Sequence, residues 1–128
     1  SRRSTTDAMA YYHRELKLDP SFVRARVNLA IVLIRLEQIE EAKATLLVAR
    51  DLDPRFITIY TNLGISLVWQ DKLDEAVELF RHALLLEPSA VKVHNNLGAA
   101  LQKLGQVGEA ASCFEPALAL DPDFVPAR

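Results

Sequence analysis

The sequence predicts an all-α fold built from a repeated pair of helices. Three observations carry this. Prolines fall at 20, 54, 88 and 122, each 34 residues after the last, inside LDP, LDP, LEP and LDP. Asparagines fall at 28, 62 and 96 with the same step, each followed by leucine. Between these marks apolar residues recur three or four apart, the period of a helix with one buried face. A chain that repeats itself every 20–50 residues or roughly so stacks its units into a solenoid, because no single unit can bury both of its faces.

The elements follow in order. Residues 5–20 read as the second helix of an incomplete leading unit, with Ala8, Tyr12 and Pro20 in register with later units. Full units span 23–56, 57–90 and 91–124, so residues 1–128 are expected to form one domain of about seven helices. In each first helix a leucine stripe recurs: Leu29, Leu33 and Leu36 in the first unit, then Leu63 and Leu67, then Leu97 and Leu101. A polar break at Glu37 and Gln38 ends the first of these helices. Each second helix carries a small, large, small series: Ala42, Leu46, Ala49; Ala76, Phe80, Ala83; Ala110, Phe114, Ala117. Proline then bars continuation. Glu40, Glu41, Asp74 and Glu75 fall in first turns, where they favour the helix dipole. Ser21 and Ser89 are the expected N-caps of the first helices. Ala30, Gly64 and Gly98 share a small column that lets helix backbones approach. Ala30 implies that one methyl fits there, so Gly98→Ala is expected to be near neutral and Gly98→Leu to overpack. Pro116 lies inside the last second helix and is expected to kink it or end it early.

Composition narrows the functional classes. Half the residues are hydrophobic and a quarter charged, a globular rather than a disordered balance. The net charge of −2 gives no basic field for nucleic acid, and no basic amphipathic face suits a membrane surface. The longest apolar run, LAIVLI at 29–34, is too short to span a bilayer, so neither nucleic acid nor membrane insertion is expected. Polar residues follow Arg2 and Arg3, so no secretory leader is read. The single cysteine, Cys113, precludes an intrachain disulfide and fits a reducing compartment, with the cytoplasm as the expected location. His13, His82 and His94 show no metal-ligand spacing, and His94 reads as a packing residue at the core edge. Cys113, within AASCF, reads as a buried structural thiol. With no glycine-rich phosphate loop either, neither enzymatic activity nor a cofactor is expected.

The Leu29–Ala30, Leu63–Gly64 and Leu97–Gly98 steps, the alternating second-helix series and the closing prolines resemble the tetratricopeptide repeat. The resemblance covers nearly the whole chain. Where the family usually has a large aromatic the units carry Arg26, Tyr60 and His94, of which Arg26 and His94 depart, and where it usually has tyrosine they carry Leu33, Leu67 and Leu101. The resemblance implies a right-handed superhelix whose first helices line a concave groove, and a non-catalytic role in protein–protein interaction.

At 100° per residue, Arg24, Asn28, Ile31 and Arg35 fall within about 60° of one another, away from the leucine stripe. The corresponding sets are Thr58, Asn62, Ile65 and Trp69, then Lys92, Asn96, Ala99 and Lys103. By resemblance these stripes face the groove. An asparagine amide offers one acceptor and two donors, which match the N–H and C=O of a peptide backbone. The tetratricopeptide domains of nucleocytoplasmic glycosyltransferases look similar, with asparagines of this kind forming a ladder along the groove. Duplication of the units, or bracing between helices, also accounts for the repetition, and the cost of asparagine over alanine, about half a kcal/mol each, does not decide between them. Ile31, Ile65 and Trp69 supply an apolar floor, and Arg24, Arg35, Lys92 and Lys103 supply positive charge. The expected partner is a peptide, extended or helical, with apolar anchors and acidic flanks. Trp69 could equally pack at the turn between helices. The two-carboxylate clamp of chaperone adaptors of this fold is absent, its places being held by Val27, Ile31 and Asn96.

Two alternatives stay beside this reading. One is a self-assembling oligomeric scaffold. Tyr11 and Tyr12 sit on a helix without its partner, no polar helix follows Phe114 and Leu118, and Pro126 opens a helix that stops at Arg128. The other is the substrate-recognition arm of a larger enzyme such as a glycosyltransferase, since a chain opening at Ser1 without methionine reads as a trimmed piece.

Overall fold

The computed structural model describes residues 2–120; Pro122 and Pro126 lie outside them, as do the side chains of Ala117 and Leu118. Among the described residues there are seven α-helices and no strand: α1 (Arg2–Leu18), α2 (Val23–Arg35), α3 (Ile39–Leu52), α4 (Ile57–Trp69), α5 (Leu73–Leu86), α6 (Val91–Lys103) and α7 (Val107–Leu120). The chain divides into two compact units between Asn62 and Leu63, within α4.

In the first unit α1 packs on α2, and α2 on α3. The sequence columns are the contact surfaces. Leu29, Ala30 and Leu33 of α2 are buried, as are Ala42, Leu46 and Ala49 of α3. In the second unit α6 packs on both α5 and α7. Its core takes Leu63 and Leu67 from α4, Ala76, Phe80 and Ala83 from α5, Leu97 and Leu101 from α6, and Ala110 and Phe114 from α7. Burying each large side chain stabilises the fold by about 1.5–3 kcal/mol.

The small column proves tighter than Ala30 implied. A Cβ built on Gly64 would lie 2.4 Å from a ring carbon of Phe80, and one on Gly98 would lie 2.7 Å from a ring carbon of Phe114. The corresponding first-unit residues are Ala30 and Leu46. Glycine thus occurs with phenylalanine and alanine with the smaller leucine, and the expectation that Gly98→Ala is neutral fails because Phe114 already occupies the methyl's place.

The helix ends also depart from the reading above. The N-caps of α2 and α6 are Phe22 and Ala90, neither with a side-chain capping bond. Ser21 lies one residue too early, and its hydroxyl donates instead to Asp19 Oδ1 at 2.7 Å. Ser89 likewise precedes the cap. The aspartates before the prolines organise these turns: Asp19 Oδ1 accepts from Ser21 N–H at 3.1 Å and Asp53 Oδ1 from Arg55 N–H at 3.2 Å. The first helices all close alike. Glu37, Asp71 and Gly105 hold positive φ values of 61°, 59° and 84°. The next residues, Gln38, Lys72 and Gln106, donate backbone N–H to Leu33, Leu67 and Leu101 carbonyls at 2.8–2.9 Å. This is a Schellman closure, which satisfies carbonyls that a helix end leaves without partners. The polar break is therefore a designed stop.

The column of Arg26, Tyr60 and His94 has one job done by three chemistries. Arg26 donates through Nε and a terminal nitrogen to the Pro20 carbonyl at 3.0 and 2.8 Å. The Tyr60 hydroxyl donates to the Pro54 carbonyl, and His94 Nε2 lies 2.8 Å from the Pro88 carbonyl. Each ties the start of a first helix to the turn before it, so His94 is a polar brace and not only a packing residue. Pro116, finally, does not end α7, which runs on to Leu120.

Candidate functional site

The first helices carry the candidate site, and their charge is one-sided. Together α2, α4 and α6 hold five cationic residues, Arg24, Arg26, Arg35, Lys92 and Lys103, and no carboxylate. The second helices α3, α5 and α7 hold eight carboxylates and three cations. Arg24, Arg35, Lys92 and Lys103 are exposed, and none is ion-paired with a described residue.

In the first unit α2 presents Arg24, Asn28, Ile31 and Arg35, with Asn28 and Ile31 half-buried between the exposed arginines. The start of α4 contributes Thr58 and Asn62. The two are joined one turn apart on the same helix: Asn62 Nδ2 donates to the Thr58 carbonyl at 2.9 Å, and Asn62 is only 8 % exposed. Its amide is therefore largely committed within the protein, a feature that burial alone would reveal and the repeat column conceals.

In the second unit the remaining stripe residues converge. Ile65 and Trp69 of α4 and Asn96, Ala99 and Lys103 of α6 line one cleft of about 420 Å³, with Phe80 of α5 at its wall. Trp69 is 56 % exposed. Lys92 does not line the cleft; it stands exposed at the first turn of α6. Val68 and Ala100 also line it and were not anticipated. Val68 is the one the sequence could have offered, since it is apolar and one helical turn beyond Ile65. Beside the stripe, Asn95 buries its side-chain carbonyl oxygen without a hydrogen-bond partner among the described residues.

Elsewhere the described side chains hold little reactive chemistry. Burial raises the Cys113 thiol above its ordinary pKa, Glu109 adds to this and Arg81 opposes it, so the thiol is held protonated at neutral pH. It is half-buried, less enclosed than its sequence context suggested. Arg81 and Glu109 join α5 to α7 through a 2.8 Å ion pair. No group of three His, Cys, Asp or Glu among the described residues is placed to hold a metal ion. No described helix is long and apolar enough to cross a membrane.

Comparison with known proteins adds the following. Family profiles described as tetratricopeptide repeat match residues 2–63 and 91–124, and one described as TPR repeat matches 67–105. Among curated proteins none matches the chain in sequence. Among solved structures, the crystal structure of MamA aligns with a TM-score of 0.81 at 21 % identity, covering 96 % of this chain and 74 % of that one. Residues 41 to the end of MamA from Desulfovibrio magneticus RS-1 align with a TM-score of 0.80 at 24 % identity, covering 93 % and 67 %. A MamA AMB-1 structure gives 0.71 at 26 % identity, covering 88 % and 66 %. These likenesses speak for the fold.

Proposed function

Because the chain belongs to the tetratricopeptide-repeat family, we propose that it is a protein-interaction module recognising a peptide through the asparagine-bearing stripes of its first helices. The observation that carries this is the cleft of the second unit, which gathers Ile65, Trp69, Asn96, Ala99 and Lys103 from two helices around one apolar space. A small number of polar groups placed around an apolar concavity is the usual make-up of a recognition site. Two further facts support it. The side-chain amides of Asn28 and Asn96 hydrogen-bond to no described residue, so their donors and acceptors remain for a ligand. The first helices carry cations without carboxylates, which suits a partner with acidic residues beside its apolar ones. Asn62 has its Nδ2 already bonded to the Thr58 carbonyl, so it contributes least.

The test uses dodecamer peptides selected from a random display library, titrated by calorimetry against the native protein and a variant with Asn28, Asn62 and Asn96 all changed to Ala. Each lost hydrogen bond to a neutral backbone group costs about 0.5–1.5 kcal/mol, so with Asn28 and Asn96 carrying the effect affinity should fall roughly fivefold to a hundredfold. The melting temperature should hold or rise, because alanine is the better helix former. A variant that melts normally and binds every selected peptide unchanged refutes the proposal, as does a library from which nothing is selected.

A further inference from the structure

Resting on that reading, we infer that the cleft of the second unit is an anchor subsite for one class of segment: an extended peptide with a bulky apolar side chain and, two residues away in either order, an aspartate or glutamate within the chain.

The spacing comes from α6. Asn96, Ala99 and Lys103 lie along one face, and seven residues separate the first from the last, about 10 Å at 1.5 Å per residue. An extended chain covers about 3.3–3.6 Å per residue, so about three residues of ligand bridge the two groups. If the Asn96 amide holds the backbone of one ligand residue, the next lies over Ala99 and the third after the held residue reaches Lys103. Ala99 carries only a methyl group and lines the same cleft as Ile65, Val68 and Trp69, so it leaves room for a ligand side chain. The residue over Ala99 is thus the apolar anchor. The residue facing Lys103 is two further on, and in an extended chain residues two apart point to the same side. Anchor and acid therefore reach the protein together.

The acid follows from charge. Among the described residues Lys103 is the only charged one lining the cleft, it is exposed, and it is ion-paired with none of them. A single ammonium matches a single side-chain carboxylate; a chain terminus is usually taken by a nest of backbone N–H groups, which these continuous helices do not offer. The anchor follows from Trp69, an indole more than half exposed beside an apolar wall, whose burial under a ligand side chain removes further apolar area from water.

The chain contains one tryptophan, and it is Trp69, so its emission reports occupancy of this cleft alone. The experiment titrates octapeptides, acetylated and amidated at their ends, that carry phenylalanine and place glutamate one, two, three or four residues from it. We expect a saturable blue shift of Trp69 emission, strongest in affinity at a separation of two. Phenylalanine to alanine in the peptide should weaken binding on the order of tenfold or more. Glutamate to glutamine should weaken it about two- to fivefold, the scale of an exposed ion pair. Lys103→Gln should impose the same loss on the glutamate peptide and none on the glutamine peptide. An optimum at three or four residues would mean a helical ligand and overturn the inference, as would binding that requires a free terminal carboxylate. If library-selected peptides bind and respond to the triple alanine change while Trp69 emission stays fixed, the inference falls and the interaction reading stands. If no linear peptide binds at all, both fall.

Discussion

One position in each repeat unit shows what a single residue is asked to do. Glu37, Asp71 and Gly105 all occupy left-handed backbone at the close of a first helix, with φ of 61°, 59° and 84°. Glycine takes this conformation freely, aspartate tolerates it, and glutamate has no compensating local hydrogen bond of its own. Glu37→Gly should therefore stabilise the protein by about 0.5–1 kcal/mol, the left-handed penalty less the entropy glycine loses on folding. Asp71→Gly should gain less. Urea unfolding of the two variants checks the order, and a loss of stability in Glu37→Gly would show that its side chain supports the closure. Little of this was legible beforehand. Gly105 alone carries a residue signal for a helix stop, and Glu37 and Asp71 share its place without sharing its chemistry. The brace at Arg26, Tyr60 and His94 was hidden in the same way, because a guanidinium, a phenol and an imidazole have only the donated hydrogen bond in common. Columns of identical residues announce themselves; columns of equivalent function do not.

Between elements, the repeats preserve a sum rather than a residue. The first helix gives Ala30, Gly64 or Gly98, and the second gives Leu46, Phe80 or Phe114. The helix pairing was legible because both columns keep step with the prolines. Their coupling was not, since it resides in the 2.4 Å and 2.7 Å approaches that a Cβ on Gly64 or Gly98 would make. Gly98→Ala should accordingly destabilise by about 1–3 kcal/mol through overpacking. Gly64→Ala should cost the same, and Phe80→Leu alone should cost about 1 kcal/mol by leaving a void. The double variant should be more stable than the two losses added predict, because it recreates the Ala30–Leu46 pairing of the first unit. Additive losses across this cycle, measured by urea unfolding, would mean that the two positions do not share one space.

At the scale of the whole molecule the net charge misleads. The chain carries −2 overall, yet α2, α4 and α6 hold five cations and no carboxylate, while α3, α5 and α7 hold eight carboxylates against three cations. The sequence disclosed the cationic stripe through helical geometry, whereas the part of the candidate site formed by Val68, Phe80 and Ala100 depends on packing between helices that no periodicity encodes. A ligand approaching within a Debye length, about 10 Å at 0.1 M salt, meets the local charge and not the net one. An acidic peptide should therefore be attracted to a protein of its own sign. Changing Arg24, Arg35, Lys92 and Lys103 to Gln should slow association on the order of tenfold at low ionic strength and flatten its salt dependence. Dissociation should change less, because these side chains are exposed and their pairs are screened. Stopped-flow recording of Trp69 emission against an acidic library-selected peptide separates the two rates. If the quadruple variant associates as fast as the native protein across the salt range, the charge segregation serves the helices themselves, and recognition rests on the asparagines and the apolar cleft.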